Sequence, residues 1–332
     1  YLPRLLPWLL PYLRNATPGR VAEICAGIAN IVTDTVDEHR SLAQGTGAER
    51  WLQNSDYVFI YRRPSDILAD GFARAVRAEH GFEATELGRR ELLDLAPGLG
   101  PDYTAGLRYA NHGFCTDPGA YVKDLCAHFV AQGGSFKQAD VSAINAPASG
   151  PVEVIAQGRT FTGDQLVIAA GAYSNTLAAM VGTRFPLEAE RGYHVQFETP
   201  SQTPTGPLMV SDKKFVITPM AGGLRMAGLV EFGGLRAGAS AAPIRLIRRA
   251  ATQVFPNLRY AGVSEWLGHR PATTDSLPVI GARAARPNVN YAFGHHHIGL
   301  TGGPKTGRLL AAMIAGEKPN MDVAPYHPDR FN

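Results

Sequence analysis

Cysteine is scarce in this sequence of 332 residues, and the three present, Cys25, Cys115 and Cys126, are odd in number and show no C-x-x-C spacing. That pattern excludes a disulfide framework and the usual zinc motifs, and it sets the expectation of a reducing, cytoplasmic compartment with buried thiols. Long apolar runs are missing too: no stretch reaches the ~18 to 20 residues of a membrane span. Charge of one sign is also missing, since 32 basic against 29 acidic residues leave a formal +3 without any basic run. Nucleic acid is therefore not an expected partner, whereas small anions remain eligible. No signal peptide is visible.

What is present suits an ordinary core, with 45% of residues apolar. The Leu-rich opening, Tyr1 to Arg14, holds Trp8 but also Pro3, Pro7 and Pro11, which are expected to break a continuous amphipathic helix. It reads as a surface-packed segment, with peripheral contact at the inner face of a membrane as the alternative. From Pro18 to about Ser41 the apolar positions Val21, Ile24, Ile28, Ile31 and Val36 recur at helical spacing and predict one long helix. Tyr57 to Tyr61 reads as a strand, and Pro64 to Glu79 as a helix.

Gly106 to Ala110 predicts a strand, and Asp117-Pro118 opens a helix that Gly133-Gly134 stops. Strands at 135–144, 152–156 and 165–169 follow, the last leading through Gly171 into a helix from Ser174. Between Tyr193 and Leu229 strand-like segments succeed one another and suggest an antiparallel sheet. A helix to Val254, strands at 262–268 and 289–293 and a last helix from Pro304 complete the pattern.

The most informative local stretch is Phe293 to Arg308, FGHHHIGLTGGPKTGR. A short strand enters a loop with Gly294, Gly299, Gly302 and Gly303, then a helix whose free amides and positive dipole end attract negative charge. The same stretch also reads as a Gly-rich turn before an ordinary helix. Upstream, Arg270 precedes Pro271, which holds it extended, and its planar fork matches a carboxylate. A surface arginine paired with Asp275 or Glu265 is the other reading. Three successive imidazoles, His295 to His297, alternate faces and so do not predict a metal site.

In order, Gly268, Arg270, Pro271, Asp275, Pro278, Ile280 and Gly281, then Gly294-His295 and Gly299-Leu300-Thr301, resemble the D-amino-acid oxidase-like FAD-dependent oxidoreductases. Gly113, Asp117 and Pro118 match that family's G-x-x-x-D-P, Val141 to Ile144 resembles its strand beside the adenine, and Val167 to Ser174 resembles its flavin-contacting turn. The ending and the Leu/Pro-rich start look most like bacterial D-amino-acid dehydrogenases, including those acting on hydroxy-D-proline.

The resemblance implies FAD as cofactor and oxidative deamination of a D-amino acid, D-proline or hydroxy-D-proline included, by hydride transfer from the α-carbon to flavin. It implies Arg270 as the carboxylate clamp, with Tyr193 and His296 as further catalytic candidates. Val141, Ala170, Gly171, Gly294, His295, Gly299, Leu300 and Thr301 are the implied cofactor contacts. A sarcosine- or glycine-type amine oxidoreductase and a flavin-less subunit of a larger complex are the alternatives, and the electron acceptor is a quinone or oxygen.

The implied fold is mixed α/β (α+β): an N-terminally incomplete, Rossmann-like FAD-binding domain interleaved with an antiparallel-sheet substrate domain. Its expected segments are a helical part of the substrate domain at 1–100, FAD-domain segments at 101–186 and 263–332, and the substrate sheet at 187–262. One departure stands out. The family's opening G-x-G-x-x-G unit, which holds the ADP half of FAD, is not found, because Gly45 and Gly47 follow a helix rather than a strand. Together with the opening Tyr1, this sets the expectation of a truncated piece.

Overall fold

The computed structural model of the chain describes residues 1–331. Its helices are α1 (Leu2–Arg14), α2 (Pro18–Val32), α3 (Thr35–Ala43), α4 (Pro64–Ala69), α5 (Gly71–Glu79), α6 (Arg89–Leu95), α7 (Pro118–Ala131), α8 (Ser174–Met180), α9 (Ala241–Val254) and α10 (Gly303–Ile314). Its strands are β1 (Leu52–Tyr61), β2 (Ala84–Gly88), β3 (Ala105–Cys115), β4 (Val141–Asn145), β5 (Val152–Ala156), β6 (Arg159–Gly163), β7 (Leu166–Ile168), β8 (Leu187–Glu198), β9 (Leu208–Val210), β10 (Phe215–Met220), β11 (Gly223–Phe232), β12 (Gly262–Thr273), β13 (Val279–Arg283) and β14 (Arg286–Phe293).

A large sheet runs β12-β8-β11-β10-β9-β1-β3-β2, and two three-stranded sheets run β13-β14-β7 and β4-β5-β6. The large sheet is antiparallel except where β1 meets β9. Along β8, Tyr193, Val195 and Phe197 point to one face and are buried against α9, whose Ile244, Ile247 and Val254 close the same core. Each such side chain contributes roughly 1.5–3 kcal/mol on burial. The alternate residues, Glu190, Gly192 and His194, therefore share the opposite face. That face carries the polar chemistry.

Several local expectations are corrected. The segment Leu2–Arg14 is one continuous helix despite Pro7 and Pro11 inside it. Trp8 explains how it survives the lost amide donors: with Leu5 it is buried, and its Nε1 donates to the Ala272 carbonyl at 2.9 Å. Leu2, Leu6, Leu10 and Leu13 point outward. The long helix expected over 18–41 is two helices, because Asp34 takes φ 59 between them. Thr33 Oγ1 bonds back to the Ala29 carbonyl at 2.6 Å, and the buried Lys305 ammonium donates to the carbonyls of Asn30 and Thr33, fixing the break.

The sequence boundary at 101 does not follow the sheets. Strand β3 lies between β1 and β2, and β12 pairs with β8 along its whole length, so both belong to the large sheet. Among the described residues no helix is long and apolar enough to cross a membrane.

Candidate active site

Strands β7 and β14 pair in parallel, with Ile168 opposite Tyr291. Their C-terminal ends consequently emerge side by side, delivering Ala170 and Gly171 from one and Gly294 and His295 from the other. Ligands in open α/β sheets gather at such ends. The turn after β7 reaches β12 through a T-shaped contact between Tyr173 and His269, with ring centroids 6.3 Å apart.

The loop after β14 is pinned on all sides. Gly294 at φ 87 leaves no room for a side chain, since a Cβ there would stand 2.8 Å from Thr273 Cγ2. The His296 amide donates to the Pro271 carbonyl at 3.0 Å, tying the loop to the end of β12. His39 Nε2 donates to the Leu300 carbonyl at 2.9 Å while Tyr121 Oη, 2.8 Å from His39 Nδ1, fixes the ring. Thr35 donates to the Thr301 carbonyl. Helix α10 begins immediately afterwards, with Pro304 in its first turn.

Two glycines decide whether a flat cofactor fits here. A Cβ built on Gly171, at φ 55, or on Gly303, at the start of α10, would meet nothing within 4 Å. Open backbone at a strand end and at a helix N-terminus is what a planar, electron-rich ring requires. The flavin expectation fits these residues. Gly299, Leu300 and Thr301 lie on the same pinned loop, so they, with Ala170, Gly171 and Gly294, would hold the ring end. His295 turns the other way: it is buried, with Nε2 2.9 Å from Thr306 Oγ1 in α10. Burial first, and then His296, push its pKa down to about 4. Val141 lies in the separate β4-β5-β6 sheet.

Arg270, on β12, faces the polar side of the large sheet. Its guanidinium lies over Gly192, where a Cβ would stand 2.4 Å from Cζ, so glycine is the residue that admits it. Nη1 donates to the Leu229 carbonyl at 2.9 Å. That carbonyl is available because β11 breaks register with β8 between Gly228 and Glu231, with Leu229 at φ 65. Burial lowers the Arg270 pKa and Glu190 opposes the shift, yet a guanidinium remains charged. The other donors of its fork remain for an anion.

His296 joins Arg270. Its Nε2 lies 3.2 Å from the Thr273 carbonyl and its Nδ1 3.9 Å from Glu190 Oε2. Burial first, then His297, push its pKa down to about 4, so the ring is neutral near neutral pH. Tyr193 does not join them. It sits 1% exposed on the α9 side of β8, where its hydroxyl donates to Glu231 Oε2 at 2.6 Å and accepts from the Ser240 amide. Its catalytic candidacy fails on strand alternation alone. His194, the neighbour that does share the face of Arg270, stacks on Trp266 at 5.1 Å.

Sequence reasoning missed Glu190, His39 and Lys305. Glu190 is marked only by alternation with Arg191 and Tyr193, and its partner strand cannot be read locally. A cavity of about 370 Å³ next to Thr301, walled by Val32, Tyr57, Phe59, His112 and Ile298, continues along the same sheet face.

Comparison with known proteins places the chain in a family. The model of the family described as FAD dependent oxidoreductase (DAO) matches residues 5–313. A D-amino-acid oxidase of Bradyrhizobium diazoefficiens is 35% identical over 336 positions, covering 100% of this chain and 80% of the relative. A D-amino acid dehydrogenase of the same organism is 27% identical, covering 99% and 79%. The crystal structure of glycine oxidase from Geobacillus kaustophilus superposes with a TM-score of 0.76 at 20% identity, over 94% of this chain and 83% of the other. That likeness concerns the fold.

Proposed function

The chain belongs to the DAO family of FAD dependent oxidoreductases, and from that premise we propose that it takes part in the oxidative deamination of D-amino acids with Arg270 as the carboxylate clamp. The observation that carries this reading is a half-buried guanidinium seated on Gly192 and held by one carbonyl, whose charge is felt by His296 and His297 of the pinned loop. FAD supplies the hydride acceptor for the substrate α-carbon. The chain's own residues do the positioning. Arg270 binds the carboxylate, and the loop from Gly294 to Thr301 with Ala170 and Gly171 supports the ring end of the cofactor.

Neutral His296 accepts or donates a hydrogen bond without adding charge near Arg270. Positioning and electrostatics are sufficient for this chemistry when the amine reacts in its neutral form. The stacked Trp266 and His194 form an aromatic wall beside Arg270, which supports substrates with apolar or ring side chains, D-proline and its hydroxy derivative among them. The outward Leu2, Leu6, Leu10 and Leu13 of α1, between Arg4 and Arg14, support peripheral contact with a membrane surface. A cytoplasmic location at its inner face is consistent with the three free cysteines.

The test is anaerobic mixing of the FAD-loaded protein with D-amino acids, their L-enantiomers, glycine and sarcosine. Bleaching of the flavin absorbance by D-amino acids first is the expected result. Bleaching by glycine or sarcosine alone would overturn the substrate assignment, and readmitting oxygen or a quinone identifies the acceptor.

A further inference from the structure

Glu190 stands opposite Arg270 in the β8–β12 register, so the two side chains leave the same face of the sheet. It is 8% exposed. Among the described residues the only basic nitrogen within 4.0 Å of its carboxylate is His296 Nδ1, at 3.9 Å. Arg270 lies outside ion-pair range of it and spends one donor on the Leu229 carbonyl.

The contact with His296 is not a favourable one as it stands. Nε2 is committed to the Thr273 carbonyl, which leaves Nδ1 of the neutral ring as an acceptor. Burial raises the Glu190 pKa and Arg270 opposes the rise; with Glu190 ionised, a lone pair and a carboxylate face each other across 3.9 Å. Two acceptors so placed call for a donor between them. Two other cations are engaged elsewhere: Arg191 is on the other face with Glu231, and Lys305 is bound to the carbonyls closing α2. Holding a carboxylate under these conditions is costly, and an incoming cation would offset that cost.

Resting on the clamp assigned above, we propose that Glu190 and His296 Nδ1 receive the substrate's amino group, bound as the ammonium and deprotonated to solvent before hydride transfer, while Arg270 receives its carboxylate. The site would then be a two-ended receptor for zwitterions, selecting α-amino acids over 2-hydroxy acids and plain carboxylates. Opposite charges at fixed ends orient the bond from carboxylate to amine, and the side-chain wall then decides which enantiomer turns its α-hydrogen inward.

The test compares wild type with Glu190→Gln, both FAD-loaded, using a D-amino acid that reduces the flavin and the deaminated carboxylate of the same side chain as a non-reducing ligand. The expected result is a rise in KM for the amino acid of about tenfold or more, the scale of one charge-assisted contact, with kcat less affected and the affinity for the plain carboxylate unchanged by calorimetry. An unchanged KM overturns the role of Glu190 and leaves the Arg270 assignment intact. Wild-type protein that binds neither ligand overturns both. Should Glu190→Gln fail to fold, calorimetry on wild type decides: tighter binding of the amino acid than of its 2-hydroxy analogue supports the receptor, and equal binding overturns it.

Discussion

Arg191 and Arg270 occupy neighbouring strands at the same end of the large sheet, on its two faces. Arg191 is 3% exposed as a side chain, lies 3.2 Å from Glu231 Oε2, and bonds Tyr193 Oη and the Gly238 carbonyl. Its guanidinium is enclosed by protein partners. Arg270 donates one hydrogen bond, to a carbonyl that a bulge has freed, and the carboxylate across from it stands beyond pairing range. A buried charge with partners is a structural device, whereas a half-buried charge with spare donors fits the receptor role proposed for Arg270. One residue of strand offset separates the two roles.

The contrast can be broken most forcefully from the structural side. Arg191→Ala empties a buried site and leaves the part-exposed Glu231 carboxylate with the Tyr193 hydroxyl but without its ion pair, and it should cost about 1–3 kcal/mol of stability, the scale of a lost hydrogen bond to a charged group. Chemical denaturation measures this, and carboxylate affinity of the folded fraction should not change. A loss of affinity without a loss of stability would reverse the two assignments.

A smaller, graded effect comes from the loop histidines. His295 and His296 are both held near pKa 4 by burial, so they bind a proton more weakly in the folded than in the unfolded chain, where about 6.5 applies. Their contribution to stability is present above about pH 6.5 and is lost as the pH falls towards 4, on the order of a few kcal/mol over that window. Melting temperature measured against pH should decline through this range, and His295→Gln should flatten part of the decline. A melting temperature constant across it would show that these rings are solvated.

How much of this was legible beforehand follows from the range of the interactions. The stretch from Phe293 to Arg308 is strand, glycine turn and helix, all local, and that order of elements could be read from the sequence. Residues whose role depends on a distant partner did not. The alternation that puts Tyr193 in the core and Glu190 on the face of Arg270 requires knowing that β8 packs on α9 and pairs with β12. The helix break at Asp34 depends on Lys305, far along the chain, and apolar periodicity runs through it unaltered. The opening helix survives its prolines because Trp8 finds a carbonyl on β12, which no propensity records. Local chemistry can be read from order, and pairing across strands cannot.

The most direct test of the two-faced account is the affinity of Arg270→Ala for a non-reducing carboxylate ligand, measured by calorimetry on FAD-loaded protein. Removing this clamp should weaken binding by about 2–5 kcal/mol, with a melting temperature close to wild type because the guanidinium has few partners of its own. Unchanged affinity together with a large loss of stability would contradict the account, and would place Arg270 with Arg191 as part of the scaffold.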